Sequence, residues 1–542
     1  MRMPAIQSRI QFIAVLLAFA ASSLAAQNPP GLAAVGVDSM SAFVVLVRGD
    51  TLGIERFIQT PDRLVGELTL RGQPRLVYDI VLDGPGHTRY MTLNVHAPGA
   101  SPQTPPVQRL LLRPAGDSVA VDVASGGAPP RTQRVGMIPD AVLVIGNAFA
   151  TLELAVDRAR SMGGDSVQVP VFLATGGQQV MTGVRLVSAD SAVMEIGGVE
   201  IHFTSRNGRV THIAVPAQLV VATRVDGLAA SRLAIDRPDY SAPEGAPYTA
   251  QEVRVPTPNG DTLAGTLTLP EPRSGRVAGV ITISGSGPQE RDEALPIVPG
   301  YRPFRQIADT LGRRGVAVLR LDDRGYGAST GNFTTATTAD LASDVRAALA
   351  WLRARPEMDP ARIFLLGHSE GAVIAPMIAA DDPGLAGIVL LSGPSWTGRR
   401  TLEYQIRYGV EQDSTIAPAV RATTIAARIA ALDTTAAQQN WLRYYVTLDP
   451  LQAAARTRVP VLIIQGGTDR QVPAEQAEEL AAALRRNGEG DVTLRLLPGR
   501  NHLLLPDPDG HPARYGELRV RQLGADVLGP IVEWIVSRGA KG

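Results

Sequence analysis

A short serine motif flanked by glycines constrains this chain more than any other feature of its sequence. The motif, Gly-His-Ser-Glu-Gly at 367–371, directly follows a strand-like apolar run at 362–366. A serine at the tip of a tight turn between a strand and a helix has a strained backbone, so the residues two before and two after it must lack side chains. The sequence therefore predicts a strand, a tight turn and a helix that expose Ser369 as a candidate nucleophile.

Two downstream residues have the chemistry that such a serine needs. A serine hydroxyl requires a base, and the base requires a carboxylate, in the chain order serine, acid, histidine for this kind of turn. Asp469 follows the apolar run 459–464, and His502 comes shortly after another strand-like run at 492–497. Either residue alone could be an ordinary loop residue. Together, at the ends of predicted strands and in the required order, the three predict a catalytic triad.

A loop of small residues after the strand-like run 277–283 predicts the rest of the site. Its sequence is Ser-Gly-Ser-Gly-Pro at 284–288, and small residues let a backbone approach a developing oxyanion. We expect the oxyanion hole to consist of the backbone N–H groups of Glu370 and Ser286, with Gly287 as the alternative to Ser286. The charged residues that follow could contact substrate or could pin the loop through ion pairs.

Five motifs carry a resemblance to a known family. They are Gly-Ser-Gly-Pro-Gln-Glu-Arg-Asp at 285–292, Asp-Arg-Gly-Tyr-Gly-Ala-Ser at 323–329, the serine motif at 367–371, Gly-Thr-Asp-Arg-Gln-Val-Pro at 467–473, and Asn-His at 501–502. On these motifs, residues 249–542 resemble the α/β-hydrolase superfamily, in particular its esterase and serine-aminopeptidase-like branch. The chain lacks the His-Gly-Gly-Gly loop of lipases and a second glycine after Gly371, which disfavours large lipid substrates and, more weakly, a peptidase.

Strand-like and helical segments alternate through 249–542, which predicts a mostly parallel, doubly wound sheet covered on both faces. A helical segment at about 395–449 interrupts this alternation and is predicted to be a cap. Its aromatic residues either line a substrate pocket or pack the cap onto the core. The candidate pocket residues are Trp396, Tyr404, Trp441 and Tyr444.

The amino terminus predicts export. Arginines precede an apolar run at 10–21, and small residues follow it, which is typical of a signal peptide spanning 1–26. We expect no stable membrane span once this segment is removed, and the chain contains no cysteine. These features indicate a periplasmic or secreted bacterial protein.

Residues 30–235 alternate short β-like runs with turn clusters, which predicts an all-β, antiparallel accessory domain joined by a linker at 236–248. The pattern fits either a barrel or a sandwich. At the Asn-Gly turn of 207–208 we expect a three-residue loop that pairs His202 with His212. Two histidines are too few for a zinc site, so no metal is predicted.

The formal net charge is zero, with 52 basic and 52 acidic residues, and this balance gives no reason to expect a nucleic-acid partner. The sequence does not indicate an oligomeric state. We expect an exported serine hydrolase without cofactor, most simply a carboxylesterase for small or medium acyl esters. The alternatives are a serine aminopeptidase or other amide hydrolase, in which Glu290 or Glu370 would bind the free amino group, and a non-catalytic binding protein on the same scaffold.

Overall fold

The computed structural model describes residues 39–539 except for short gaps. These gaps are 48–49, 71–72, 98–104, 126–129, 219, 234–238, 274, 296–297, 299, 334, 414–415 and 487–490. The chain forms two compact units, Met1–Arg237 and Pro238–Gly542. The predicted signal peptide at 1–26 and the first residues of the predicted linker, 236–238, lie outside the described residues.

The N-terminal unit contains one sheet of 15 strands, in the order β8-β7-β6-β5-β4-β3-β2-β1-β15-β14-β13-β12-β11-β10-β9. Neighbouring strands are antiparallel except β9 and β10, which are parallel. The all-β prediction for this region is confirmed. The strands are β1 Ser41–Val47, β2 Asp50–Thr60, β3 Arg63–Leu70, β4 Arg75–Gly84, β5 His87–His96, β6 Gln108–Ala115, β7 Ser118–Ser125, β8 Arg131–Gly136, β9 Val142–Val144, β10 Ser166–Leu173, β11 Gln178–Ser188, β12 Ser191–Ile196, β13 Val199–Arg206, β14 Arg209–Val215 and β15 Val220–Asp226.

Helix α1, Phe149–Met162, lies within the core of this unit. Its residues Leu152 and Val156 share one hydrophobic cluster with Val121 of β7 and Phe203 of β13. Strands from both halves of the sheet therefore share one core with the helix. A short helix α2, Gly227–Arg232, follows β15.

The hairpin of β13 and β14 corrects the predicted pairing of His202 with His212. In the structure His202 pairs with Ala214, and His212 pairs with Thr204. The turn has two residues, Asn207 and Gly208, both with positive φ, and the register shifts between Thr204 and Ser205. Because of this irregularity Phe203 pairs with Ile213, so apolar side chains of both strands lie on the buried face. A regular hairpin with the same two-residue turn would pair Phe203 with His212 instead.

The C-terminal unit contains an eight-stranded sheet in the order β16-β17-β19-β18-β20-β21-β22-β23. Strand β17 is antiparallel to both of its neighbours, and the remaining pairs are parallel. The strands are β16 Tyr248–Pro256, β17 Thr262–Pro270, β18 Val277–Ile283, β19 Ala317–Leu321, β20 Met358–His368, β21 Gly387–Leu391, β22 Val461–Gly466 and β23 Val492–Leu497.

Helices cover both faces of this sheet. Along β20, Leu365 belongs to one hydrophobic core, whereas Phe364 and Leu366 belong to the core on the opposite face. The predicted doubly wound sheet is thus confirmed. The helices are α3 Pro303–Gly312, α4 Thr338–Arg353, α5 Gly371–Ala379, α6 Gly398–Gln412, α7 Pro418–Gln438, α8 Asn440–Tyr445, α9 Pro450–Ala454, α10 Glu475–Arg485 and α11 Ala525–Gly539.

Helices α6, α7 and α8 lie between β21 and β22, inside the segment predicted to be a cap. Across the residues that the structure describes, none of the helices combines the length and apolar character needed to cross a membrane.

Candidate active site

Ser369 lies at the tip of a tight turn between β20 and α5. Its φ is 52°, a left-handed conformation that is uncommon for residues other than glycine. A methyl group on Gly367 would lie 2.1 Å from the main-chain oxygen of Gly371, and one on Gly371 would lie 2.1 Å from that of Ile283. Both positions therefore require glycine, for the steric reason that the sequence motif suggests.

The three predicted triad residues lie in hydrogen-bond contact. The Ser369 hydroxyl is 3.1 Å from Nε2 of His502, and Nδ1 of His502 is 2.8 Å from Oδ2 of Asp469. Each residue follows the carboxyl end of a different strand, β20, β22 or β23, so the parallel sheet brings together residues that are far apart in sequence. In this arrangement His502 can accept the serine proton and donate its other ring N–H to the aspartate.

The Asp469 side chain is fully buried and is held by further donors. Its Oδ1 accepts the backbone N–H groups of Gln471 and Val472, both at 2.8 Å, and its Oδ2 also accepts Nε2 of Gln465 at 2.9 Å. Sequence reasoning missed Gln465. The available signal was a polar residue at the end of an apolar strand, four residues before the candidate acid.

The loop that carries His502 is shaped by its neighbour Asn501. The Asn501 amide oxygen accepts the backbone N–H groups of Leu503 and Leu505 at 3.0 and 3.1 Å, and its amide nitrogen donates to Asp507 at 3.1 Å. Asn501 is fully buried, so these bonds fix the turn without competition from water. The Asn-His motif thus combines a loop former with the candidate base.

The oxyanion loop, residues 284–288, lies beside the nucleophile. A methyl group on Gly285 would be 3.2 Å from Cβ of Ser369, which shows how closely the two backbones approach. Among the described residues, the backbone N–H groups of Ser286 and Glu370 have no hydrogen-bond partner, whereas that of Gly285 donates to Glu293. The two predicted donors are therefore available to an oxyanion.

Two charged residues that follow the oxyanion loop anchor it through ion pairs. The Arg291 side chain is buried and pairs with Asp322 at 2.9 Å and Glu252 at 2.7 Å. Asp292 pairs with Arg320 and, at 2.5 Å, with Arg302. Of the two interpretations that the sequence allowed for this segment, ion-pair anchoring is the one seen in the structure.

The two acidic residues considered for binding a substrate amine are both engaged. Glu290 accepts the hydroxyl of Tyr240 at 2.8 Å and the backbone N–H of Ala294 at 2.9 Å. Burial raises the pKa of Glu290 above its ordinary value, so charge on this carboxyl is disfavoured. The Glu370 carboxylate accepts Nε1 of Trp441 at 2.9 Å and the hydroxyl of Thr338 at 2.6 Å.

The predicted pocket aromatics occupy different environments. Trp441 lies over the serine turn through its bond to Glu370 and stacks on Tyr445 at 4.8 Å between ring centroids. Trp396 is buried and meets the ring of Tyr404 edge-on at 5.6 Å. Tyr444 is half-buried. Of the four, Trp441 is the one that the structure ties directly to the serine turn.

Residues 300–509 match the family described as Serine aminopeptidase, S33, a stretch that contains Ser369, Asp469 and His502. The C-terminal unit has the α/β-hydrolase fold. The predicted superfamily is therefore confirmed for this unit, which we call the hydrolase domain.

One esterase and one protein named as an uncharacterized peptidase are among the relatives of the hydrolase domain. An esterase of Thermotoga maritima, EstD, is 28% identical over 57% of this chain and 72% of its own length. A protein of Mycobacterium tuberculosis is 30% identical over 43% of this chain and 66% of its own length. A Bacillus subtilis peptidase, YuxL, is 24% identical over 48% of this chain and 36% of its own length.

Solved structures of esterases are also similar to this chain. The Pyrococcus furiosus esterase Pf2001 covers 50% of this chain and 89% of its own, with 19% identity and a TM-score of 0.37. The esterase Est1E of Butyrivibrio proteoclasticus covers 54% of this chain and 99% of its own, with 17% identity and a TM-score of 0.36.

Proposed function

We propose that the hydrolase domain is a serine carboxylesterase that cleaves small or medium acyl esters. The observation that carries this proposal is the continuous chain of hydrogen bonds from Ser369 through His502 to Asp469, with distances of 3.1 and 2.8 Å. The serine occupies a strained turn beside two backbone N–H groups that have no hydrogen-bond partner among the residues that the structure describes. Nucleophile, base, orienting acid and oxyanion donors are thus all present within one site.

The proposed reaction follows from these roles. His502 takes the proton of Ser369 as the serine oxygen attacks the ester carbonyl carbon, and Asp469 stabilises the imidazolium that forms. The backbone N–H groups of Glu370 and Ser286 hold the oxyanion of the tetrahedral intermediate. Collapse of this intermediate expels the alcohol, which takes the proton from His502. Water, activated by the same histidine, then hydrolyses the acyl-enzyme.

An amide substrate is the second candidate, because the matching family is described as a serine aminopeptidase and YuxL as a peptidase. An aminopeptidase needs a free anionic group to bind the substrate amine. Glu290 is buried against Tyr240, and Glu370 is bonded to Trp441 and Thr338. The engagement of both carboxyls favours an ester substrate without a charged amine.

The full-length protein tests this proposal in two assays. A fluorophosphonate probe should label the parent at Ser369 and fail to label Ser369→Ala, which separates an enzyme from a non-catalytic binding protein. On a panel of p-nitrophenyl esters and aminoacyl anilides, we expect esters to be cleaved faster. Removal of the serine of a triad lowers kcat by roughly 10⁶-fold, so Ser369→Ala with activity within about tenfold of the parent would sink the assignment.

We also propose that the protein is exported, on the basis of the signal-peptide pattern at 1–26. Expression of the full chain in a bacterial host, followed by fractionation and amino-terminal sequencing, tests the proposal. Mature protein that starts near residue 27 in the periplasm or medium would support export. Uncleaved protein in the cytoplasm would contradict it.

A further inference from the structure

A second histidine–carboxylate pair lies beside Ser369, and the proposed reaction does not use it. His368 immediately precedes the serine, and its side chain is 8% exposed. Its Nδ1 is 2.9 Å from Oε1 of Glu293, and its Nε2 is 3.0 Å from the main-chain oxygen of His502. A carbonyl oxygen can only accept a hydrogen bond, so Nε2 of His368 carries a proton.

The surroundings of His368 favour a second proton on the ring. Burial opposes charge on the ring and lowers its pKa, but the Glu293 carboxylate and the His502 carbonyl raise it by more. The pKa of His368 therefore lies above its ordinary value. Asp469 adds a further negative charge nearby, while the His502 ring, centred 5.0 Å away, is the other titratable group facing it. His368 and Glu293 thus form a buried, hydrogen-bonded pair in which charge on the ring is favoured by its neighbours.

The backbone of Glu293 is held in an unfavourable conformation. Its φ is 55°, a left-handed value that glutamate seldom adopts, and its side chain is 3% exposed. Strain of this kind persists only where the surrounding structure imposes it, and it is concentrated at functional sites. The strained backbone places the Glu293 carboxylate where it can reach both His368 and the oxyanion loop.

The pair links three parts of the active site. Oε1 of Glu293 accepts the backbone N–H of Gly285, in the oxyanion loop, at 2.7 Å. His368 belongs to the serine turn, and its Nε2 donates to the main chain of the candidate base. The His502 carbonyl also accepts the hydroxyl of Ser392 at 2.9 Å. One buried network therefore joins the oxyanion loop, the serine turn and the histidine loop.

We propose that Glu293 and His368 are positioning residues for the hydrolytic reaction, which hold the oxyanion loop and the His502 backbone at fixed distances from Ser369. The proposal rests on the serine-hydrolase function proposed above. Neither residue touches the reacting carbonyl. Both act through groups that do, and a misplacement of such groups by about 1 Å can cost roughly 100-fold in rate.

Two variants of the full-length protein test this inference. Glu293→Asn suits the left-handed backbone, because asparagine tolerates positive φ well, but its side chain is too short to keep both contacts. In His368→Gln a single amide group replaces two ring nitrogens on opposite sides of the ring. It cannot bridge Glu293 and the His502 carbonyl as the imidazole does. For a small p-nitrophenyl ester we expect kcat to fall about tenfold to 100-fold in each variant, with KM within about twofold of the parent.

A matched control separates positioning from simple loss of stability. Ile388 is a fully buried residue of β21. Its apolar side chain belongs to the hydrophobic core and cannot hydrogen-bond to Glu293 or His368. Ile388→Val should lower the thermal midpoint while leaving kcat at the parental value. In Glu293→Asn we expect the reverse, a parental thermal midpoint with a reduced kcat. If kcat in the two network variants merely tracks their loss of folded protein, the positioning role is refuted.

A spectroscopic measurement addresses the hydrogen bonds of the pair. In ¹⁵N-histidine-labelled full-length protein, with His368→Gln used for assignment, Nε2 of His368 should carry a proton, because it donates to the His502 carbonyl. An unprotonated Nε2 there would overturn the link between His368 and the histidine loop.

The fluorophosphonate probe keeps the two proposals apart. A parent protein that labels at Ser369, with variants that label and turn over equally fast, would refute the positioning role alone. A parent that neither labels nor cleaves any ester would refute the esterase proposal, and this inference with it.

Discussion

At the scale of single residues, the candidate acid Asp469 is held in place by several hydrogen-bond donors. Asp469 accepts hydrogen bonds from His502, from Gln465 and from two backbone N–H groups. All four donors fix the direction in which it faces the histidine. Gln465 is the only one of these partners outside the triad that acts through a side chain, so its contribution can be measured by substitution.

We predict that Gln465→Leu lowers kcat for ester hydrolysis by roughly tenfold, since a hydrogen bond to a charged group is typically worth about 1.5–3 kcal/mol. The substitution keeps a similar volume and leaves the triad residues in place. Thr457→Val is the matched control, because it removes a buried hydroxyl that bonds to Pro376 and Ala453, away from the triad. Equal kcat values in the parent and Gln465→Leu would show that the backbone donors alone orient Asp469.

The pH dependence of the rate is a second prediction at this scale. A protonated His502 cannot accept the serine proton, so activity should rise from acid to neutral pH. The measurement is kcat/KM for a neutral ester between about pH 5 and 9. A rate that stays constant over that interval would contradict a histidine base.

At the scale of elements, the turn from β20 into α5 is defined by close backbone contacts. Gly371 begins α5, and a methyl group there would meet the main-chain oxygen of Ile283 in β18 at 2.1 Å. A backbone oxygen of a central strand cannot move aside without disturbing the sheet. Ile283 is the last residue of β18, and the oxyanion loop follows it directly. A side chain at position 371 would therefore push on the same backbone that positions the oxyanion loop.

We therefore predict opposite effects for two glycine-to-alanine substitutions. Gly371→Ala should lower the free energy of unfolding by more than about 1 kcal/mol and reduce ester hydrolysis, because the added methyl group clashes with backbone. Gly409→Ala, in α6, meets nothing within 4 Å and should raise stability by about 0.5–1 kcal/mol. Denaturant unfolding of both variants checks the pair. Similar stabilities for the two would contradict the contact seen in the structure.

At the scale of the whole molecule, both units bury carboxyl groups, and burial raises the pKa of several of them. In the N-terminal unit the carboxyl of Glu55 is fully buried and accepts the hydroxyl of Tyr78 at 2.6 Å and the backbone N–H of Ala150 at 3.0 Å. Burial raises the pKa of Glu55 to about 7, and burial likewise raises that of Glu153 to about 8. In the hydrolase domain, buried carboxylates such as Asp322 are paired with arginine.

These raised pKa values predict that the N-terminal unit loses stability as pH increases. The folded unit keeps the Glu55 proton up to about pH 7, whereas the unfolded chain releases it near the ordinary value of 4.5. Between those values the folded state binds more protons, so the stabilising contribution is complete below about pH 4.5 and disappears as pH rises through 7.

Glu55→Gln tests this linkage in the full chain. At pH 8 the variant should have a higher free energy of unfolding than the parent by about 3 kcal/mol, and at pH 5 the difference should be much smaller. Glu195→Gln, at an exposed position of β12, serves as the control and should shift neither midpoint. Equal effects of Glu55→Gln at both pH values would show that Glu55 does not take up a proton on folding.

Much of the hydrolase domain follows from local patterns in the sequence. The segments 301–314, 340–355, 474–486 and 524–538 predict helices, and α3, α4, α10 and α11 occupy them within a few residues. The apolar runs between them become parallel strands because both faces of the sheet are covered. Ser369, Asp469 and His502 could be identified because each follows a strand, and strand ends converge at one edge of a parallel sheet.

Other features depended on the tertiary structure. The irregularity in the hairpin of β13 and β14 reflects the need to bury apolar side chains on one face, which turn preferences alone do not specify. Glu293 and His368 are 75 residues apart in sequence, and Trp441 and Glu370 are 71 apart. No short-range pattern predicts such pairs, because packing of loops onto the sheet brings them together. The sequence by itself determined the class of fold and singled out the three candidate triad residues, since both depend on local backbone geometry. The supporting network was decided only in three dimensions, because buried polar groups must find partners wherever the fold places them.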